Sequence, residues 1–300
     1  MEHRPAREID LRDGARSNRI TEAGRRFQVR LVEHLRAEGY PALHTRPMSM
    51  PGGDGYDPAN PAHLLEAGRF LGRYHEVARR FPSRLRANGR PALPSLERRG
   101  PDALAKFTAV ADPVVRPSQR ARLTRATSYL WSQFIRVPEA LSGVVPLLPR
   151  VVIHASYEPG VLIFQGDRVC GVTGFDRAAY DLRALDLGSC LRAFAARTPG
   201  TGAGVGLDFE RAGALMAAYH EVEPVGDDEL GALPLICRAH HLTAVLTTTT
   251  AFLRRYERVP RPEAEVRELL DGIERHADWT RWLELGEPEV LAALRSALVP

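Results

Sequence analysis

Apolar residues recur at the spacing of an α-helix along most of this chain of 300 residues. Phe27, Leu31 and Leu35 stand at positions i, i+4 and i+8, which predicts an amphipathic helix, and Gly39 is placed to end it. A similar face runs through residues 64–78. Further helices are predicted over residues 123–135, 184–196, 209–220, 227–254 and 262–276. The pattern therefore predicts a mostly helical protein.

One stretch, residues 150–186, has the pattern of strands instead. Short apolar segments rich in β-branched residues predict strands at 151–154, 161–164 and 169–173. Pro159 and Gly160 turn the chain after the first segment, and residues 165–168 join the other two into a predicted β-hairpin. Polar residues collect where these segments end. The stretch is therefore the first place to look for a functional site.

Two segments carry the signals of loops. Residues 82–118 are rich in proline, glycine and arginine, which predicts a long exposed connection. Residues 198–208 are rich in glycine, but they follow a predicted helix and do not fit the register of a phosphate-binding loop, so we expect a flexible loop. Aromatic residues of the helical segments are expected to pack in the core, namely Tyr129, Trp131, Phe134, Trp279 and Trp282.

Charge and cysteine content exclude several classes of protein. The net charge is +4, but the arginines are scattered and are not interleaved with aromatic residues, so we expect no nucleic-acid partner. No apolar run approaches the length of about 18 residues that spans a membrane. The N-terminus lacks the apolar region of a secretion signal. Cys170, Cys190 and Cys237 are far apart, which favours free thiols in a reducing cytoplasm.

Two short motifs flank the predicted hairpin. Residues His154 to Val161 read His-Ala-Ser-Tyr-Glu-Pro-Gly-Val, and Thr173 to Asp176 read Thr-Gly-Phe-Asp. The pair resembles the catalytic and metal-binding loops of the aminoglycoside phosphotransferase family, which typically read H-G-D-x-x-P-x-N and D-F-D. The segment that begins at Tyr56 resembles the entry to the first large-lobe helix of the same family. The resemblance implies an α+β, protein-kinase-like fold with two lobes and a mostly helical C-lobe.

Several loop residues match the family and are expected to be structural. The resemblance implies that His154, Pro159 and Phe175 hold the two loops in place. Asp176 also matches, and it is expected either to make a hydrogen bond within its loop or to belong to a repurposed site. His75 corresponds to a structural histidine at the end of the family's helix, so we expect a core histidine rather than a ligand.

The residues that would carry phosphoryl transfer are replaced. Ser156 stands where the family has its catalytic aspartate, and Val161 and Gly174 stand where it has metal ligands. Serine is a poor base, and Mg²⁺ needs oxygen ligands that valine and glycine side chains do not have. Lys106, the only lysine, lies after the region that could form the small lobe. We therefore expect that ATP and Mg²⁺ are not cofactors of this protein.

The resemblance divides the chain near residue 55. Residues 56–300 correspond to the kinase-like C-lobe. Residues 1–55 have room for the helix around Leu31, but residues 1–20 are highly charged and residues 41–55 are rich in turn signals. We expect a reduced N-lobe that lacks the strands above a nucleotide.

Three functions remain open on the sequence. The first is a pseudokinase-like protein, an accessory in bacterial specialised metabolism, whose C-lobe cleft binds a small molecule, a peptide or a partner enzyme. The second is an enzyme repurposed for acid/base chemistry, with Glu158 and Asp176 as the pair and Ser156 beside them. The third is an active ATP-dependent small-molecule phosphotransferase, in which Asp167 or Asp181 replaces the lost ligands.

Overall fold

The computed structural model describes residues 22–44, 53–82, 94–197, 204–256 and 263–299. This part of the chain is mostly helical, as the sequence predicts. In chain order, its helices and strands are α1 Glu22–Ala37, α2 Pro61–Arg79, α3 Pro94–Ala111, α4 Pro117–Val144, β1 Arg150–Ile153, β2 Leu162–Gln165, β3 Arg168–Val172, β4 Ala179–Leu182, α5 Arg183–Ala195, α6 Phe209–His220, α7 Asp227–Arg255, α8 Glu263–Leu285 and α9 Glu287–Leu298.

The strands form two small antiparallel pairs. β2 and β3 make the hairpin that the sequence predicts, and β1 pairs with β4, which begins after the hairpin. Ala42 adds an isolated bridge to β3, and Asp54 adds one to β2. The described residues before α2 thus extend the hairpin by single bridges. β1 contacts α2 and α5, and β3 contacts α2, so the strands of the 150–186 stretch pack on the helices.

α1 is the helix predicted from the spacing of its apolar residues. Leu31 and Leu35 are fully buried and Phe27 is nearly so. Gly39 follows the helix with a φ of 77°, a conformation that glycine adopts without strain. The helix packs against α2 and against the short turn Phe175–Arg177. Its buried face therefore supports the loop that follows β3.

α2 and α6 approach closely because small residues face the partner helix. A Cβ atom on Gly68 would lie 2.5 Å from the carbonyl oxygen of Leu215, and one on Gly72 would lie 2.9 Å from Cβ of Val222. The side chain of Asn60 caps the first turn of α2. The close approach of α2 to α6 fixes the position of the last turns of α2, which reach the loops after β1.

α7 is the central helix of the C-terminal half. It packs against α3, α4, α5, α8 and α9 and buries Ile236, Leu242 and Val245. The β-branched residues of its second half do not interrupt it. The hydroxyl groups of Thr243 and Thr248 donate to carbonyl oxygens one turn earlier, so these polar groups are satisfied within the helix.

The predicted exposed connection over residues 82–118 is wrong over residues 94–111, and residues 83–93 lie outside the described residues. α3 occupies residues 94–111 and buries Leu104 against its neighbours. Pro101 lies inside this helix, and Gly100 packs directly on the ring of Phe134, where a Cβ atom would lie 2.1 Å from the ring. Close packing against α4 and α7 offsets the weak helix propensity of proline and glycine.

The aromatic residues of α4 do not all face the core. Leu130 and Phe134 are fully buried, but Trp131 is 50% exposed, so the core prediction is wrong for Trp131. The reason is helical phase, because adjacent residues are rotated by about 100° and Trp131 lies beside the buried face. Trp279 and Trp282 are partly buried and pack against the core.

Some predictions fall outside the described residues. Those on the small lobe concern chiefly residues 1–21 and 45–52, and the glycine-rich loop prediction concerns residues 198–203. The division of the chain near residue 55 stays a prediction. Among the helices that the structure describes, none combines the length and the apolar character needed to cross a membrane.

Candidate functional site

The loop of residues 154–161 and the turn of residues 173–176 are held together by short polar contacts. His154 is fully buried, and its Nε2 donates to the carbonyl oxygen of Thr173 at 2.8 Å. The hydroxyl of Ser156 donates to the carbonyl oxygen of Gly174 at 3.0 Å. Burial lowers the pKa of His154, so the imidazole is neutral near pH 7. Two of the motif residues therefore connect the loop to the turn.

Asp186, a residue that the sequence analysis missed, organises the start of the 154–161 loop. Its fully buried carboxylate accepts the backbone N–H groups of His154 and Ala155 at 2.6 and 2.8 Å. It also accepts from Nε2 of His75 at 3.1 Å, while Nδ1 of His75 lies 2.7 Å from the hydroxyl of Tyr219. The predicted core histidine at position 75 is confirmed, since both of its ring nitrogens have protein partners.

The electrostatics of this network favour an ionised carboxylate. Burial alone would raise the pKa of Asp186, but the hydrogen bond from the side chain of His75 and the one from the backbone of His154 lower it. The backbone of Ala155 adopts a φ of 61°, a conformation that is strained for a residue with a Cβ atom. The two hydrogen bonds from Asp186 to adjacent N–H groups hold this strained turn. A signal for Asp186 was present in the sequence, because it is an aspartate within an apolar helix that follows a strand.

The structure brings the three replaced family positions together. Gly174 has a φ of 85°, and a Cβ atom built on it would lie 2.9 Å from Cγ1 of Val161 and 3.6 Å from Oγ of Ser156. Val161 is buried, and Ser156 is partly buried. The point where a base and two metal ligands would converge is therefore filled by a hydroxyl, a methyl group and a bare backbone.

The other predicted site residues lie around this point in different environments. Phe175 is buried, with its ring 4.8 Å from that of His154, and Pro159 begins a short turn that leads into β2. Glu158 is partly buried and Asp176 is exposed. Asp176 makes no side-chain hydrogen bond to the residues that the structure describes, so the loop hydrogen bond that we expected from it is not formed there.

The two aspartates considered as replacement ligands are engaged elsewhere. Asp167 lies in the β2–β3 turn and accepts from the side chain of Asn60 at 2.8 Å. Asp181 lies on β4 and pairs with Arg150 at 3.2 Å. Within the described ranges, no group of three or more histidine, cysteine, aspartate or glutamate side chains is arranged to hold a metal ion.

The sequence matches one protein family over most of its length. A family model described as the phosphotransferase enzyme family matches residues 24–225. A homoserine kinase of Rhodopseudomonas palustris is 31% identical over 209 residues, which cover 67% of this chain and 55% of that protein. A homoserine kinase of Parvibaculum lavamentivorans is 37% identical over 100 residues, which cover 33% of this chain and 30% of that protein. For the first of these, the chain spans about half the length of the curated relative.

Solved structures share the fold at low sequence identity. An aminoglycoside phosphotransferase from Alicyclobacillus acidocaldarius matches with a TM-score of 0.59 and 16% identity, over 92% of this chain and 83% of that chain. A choline/ethanolamine kinase family protein from Mesorhizobium loti matches with a TM-score of 0.54 and 18% identity, over 91% and 84% of the two chains. The expected α+β, protein-kinase-like fold is thereby confirmed.

Proposed function

Because this chain belongs to the phosphotransferase enzyme family, we propose that it is a member that has lost phosphoryl transfer and keeps the cleft beside the 154–161 loop for binding. The observation that carries the proposal is the contact among the three replaced positions. Ser156, Val161 and Gly174 lie against one another where a base and two metal ligands would have to converge. None of their side chains supplies a carboxylate or amide oxygen.

The chemistry of phosphoryl transfer explains why this contact matters. The reaction depends on holding the triphosphate with Mg²⁺ and on accepting a proton from the attacking hydroxyl. The hydroxyl of Ser156 already donates to a backbone carbonyl, and the buried side chain of Val161 offers only methyl groups. Lys106, the only lysine, lies on α3 and pairs with Asp102 one turn earlier at 2.7 Å. The sequence therefore offers no lysine for the role of the family's strand lysine, and an arginine there would supply the charge in a different geometry.

The intact scaffold of the loop supports a binding role. The hydroxyl of Tyr157 donates to the carbonyl oxygen of Ala67 on α2 at 2.9 Å, which adds to the hydrogen bonds of Asp186 at the start of the loop. The partners that we propose are a small molecule, a peptide or a partner enzyme, with an accessory role in bacterial specialised metabolism. The names of the relatives, homoserine kinases, point to a small hydroxylated amino acid as one ligand class.

The other two functions have less support. Acid/base chemistry by Glu158 and Asp176 would need burial that separates their pKa values, but Asp176 is exposed. Active phosphoryl transfer is favoured by the names of the relatives but lacks the ligands described above.

The proposal is tested by titration calorimetry with ATP and Mg²⁺ at millimolar concentration. We expect no metal-dependent binding, because the metal ligands and the lysine are missing. The Rhodopseudomonas palustris homoserine kinase, titrated under identical conditions, is the positive control. Transfer of phosphate from ATP to L-homoserine is measured in parallel, and none is expected from this chain.

Two results would contradict the proposal. The first is a one-site isotherm with ATP that requires Mg²⁺. The second is turnover of L-homoserine that disappears when ATP or Mg²⁺ is omitted. Thermal melting of the same protein sample confirms that a negative result comes from folded protein.

A further inference from the structure

A second group of polar side chains lies on the helices behind the 154–161 loop. We define the α5–α7–α8 cluster as Ser189 and Arg192 on α5, His240 and His241 on α7, and His276 on α8. Oγ of Ser189 lies 3.4 Å from Nδ1 of His240, and Nδ1 of His241 lies 3.0 Å from Nδ1 of His276. Arg192, His240 and His276 are partly buried, so the cluster is neither sealed in the core nor fully exposed.

Arg192 is the unusual member of the cluster. Its Nε is buried and has no hydrogen-bond partner among the residues that the structure describes. By contrast, Arg183 on the same helix pairs with both Glu223 and Glu229 and also donates to a backbone carbonyl. A buried charged donor without a partner is costly, and it is expected where a ligand supplies the missing acceptor.

The charges around Arg192 favour a singly charged anion. Burial lowers the pKa of Arg192, and the charge of Glu158 in the 154–161 loop raises it. Burial, followed by the charge of Arg192, lowers the pKa of His240 to about 3, and the same causes lower that of His276 to about 4. The imidazoles are therefore neutral at pH 7 and can donate or accept hydrogen bonds.

We propose that the α5–α7–α8 cluster recognises a small monocarboxylate ligand, with Arg192 binding the carboxylate and the imidazoles binding its hydroxyl or amino group. A guanidinium presents paired donors that match a carboxylate in a bidentate geometry. A doubly charged phosphate would suit the cluster less well, because Arg192 is its one cationic member and Glu158 lies near. This inference rests on the proposed function, because it names a ligand class for the proposed binding role.

The test compares small carboxylates with a ligand that lacks the carboxylate. L-Homoserine, L-serine and D-glycerate are titrated at pH 7.5 by calorimetry, with 3-amino-1-propanol as the amino alcohol without a carboxylate and inorganic phosphate as the other anion. Tryptophan fluorescence gives a second readout, because Trp279 stacks on His241 with ring centres 5.3 Å apart. We expect saturable binding of at least one carboxylate and binding that is at least roughly ten-fold weaker for 3-amino-1-propanol.

Variants test the role of Arg192. Arg192→Gln should weaken carboxylate binding by roughly ten- to hundred-fold, because it removes charge-assisted hydrogen bonds, and it should leave 3-amino-1-propanol unaffected. Arg192→Lys keeps the positive charge but lacks the paired donors of the guanidinium. Its affinity for the carboxylates should lie between those of wild type and Arg192→Gln. Arg99→Gln on α3 removes an exposed charge and should bind like wild type. Melting curves establish that each variant is folded, and the lysine variant keeps the test informative if the glutamine variant does not fold.

Three outcomes would overturn the inference. These are no binding of any carboxylate in the panel, equal binding of 3-amino-1-propanol, and stronger binding of phosphate than of the carboxylates with the same dependence on Arg192. The ATP titration is separate, because Mg²⁺-dependent ATP binding would contradict the loss of phosphoryl transfer while leaving the role of Arg192 intact. A failure of one proposal is thus distinguishable from a failure of the other.

Discussion

Restoring the family residues at the three replaced positions tests the proposal that this protein has lost phosphoryl transfer. The perturbation is the triple variant Ser156→Asp, Val161→Asn and Gly174→Asp. It supplies a base and two oxygen ligands at positions that already lie in contact. We expect the triple variant to remain without kinase activity and to be less stable than wild type.

The loss of stability follows from three local costs. Gly174 has a φ of 85°, where a residue with a Cβ atom is strained by roughly 1–2 kcal/mol. Ser156→Asp removes a hydroxyl donor from a carbonyl oxygen, at about 1 kcal/mol, and brings a carboxylate towards that oxygen. Val161→Asn buries an amide where a methyl group packed, at roughly 1–3 kcal/mol. The sum is roughly 3–6 kcal/mol, a large part of the stability of a typical domain.

A matched glycine separates backbone strain from crowding. Gly166 in the β2–β3 turn has a φ of 57°, and no atom would lie within 4 Å of an added Cβ. Gly166→Asp should therefore cost only the backbone strain. Gly174→Asp should cost more, because its Cβ would lie 2.9 Å from Val161. Urea unfolding of both single variants measures the difference, and equal losses would show that crowding at Gly174 is unimportant.

The activity assay is phosphate release and phosphorylation of L-homoserine by the triple variant beside wild type. Positioning and charge stabilisation provide nearly all of phosphoryl-transfer catalysis. Metal ligands therefore add little to the reaction rate when the protein does not hold the triphosphate in place. Turnover well above that of wild type would refute this reasoning. It would also mean that the N-terminal residues form a competent nucleotide site.

Two further predictions concern stability. Ala155→Gly should stabilise the protein by up to about 1 kcal/mol in urea unfolding, because glycine adopts a φ of 61° without strain. The control variant Ala193→Gly in α5 should destabilise the protein. Equal destabilisation by both variants would argue against strain at Ala155. His240 and His276 have folded pKa values of about 3 and about 4, so the stability they contribute is complete above pH 6.5 and lost as the pH falls. By pH 5 each should have cost roughly 2 kcal/mol. The double glutamine variant should reduce this dependence but not abolish it, because burial also lowers the pKa of His154 and His241.

The sequence was sufficient for the parts of the fold that repeat a simple period. The spacing of Phe27, Leu31 and Leu35 predicted α1, and short β-branched segments with turn residues predicted the hairpin. α3 was not predicted, because its proline and glycine residues disfavour a helix locally and the local sequence does not show the tertiary contacts that outweigh this preference. In the folded protein the ring of Phe134 packs directly on Gly100, and that contact depends on a partner distant in sequence.

The candidate site could be predicted only in part, because contacts between residues distant in sequence depend on the fold. The motif identified Ser156, Val161 and Gly174 as positions of interest, but their mutual contact is a property of the fold. Asp186 lies 32 residues from His154, so its place in an apolar helix marked it as unusual, but its partners could not be read from the sequence. Arg192 could not be separated from the many other arginines until its buried and unpartnered Nε was known.

The strained turn at Ala155 bears on what the protein does. Strain of roughly 1–2 kcal/mol persists only where surrounding contacts impose it, and such positions cluster at functional sites. Here the buried carboxylate of Asp186 imposes it by binding two adjacent N–H groups. The loop shape therefore remains specified although Ser156 stands where the family has its catalytic aspartate. The charge of Glu158 in this loop raises the pKa of Arg192, so a loop of fixed shape fits the ligand-binding role that we propose.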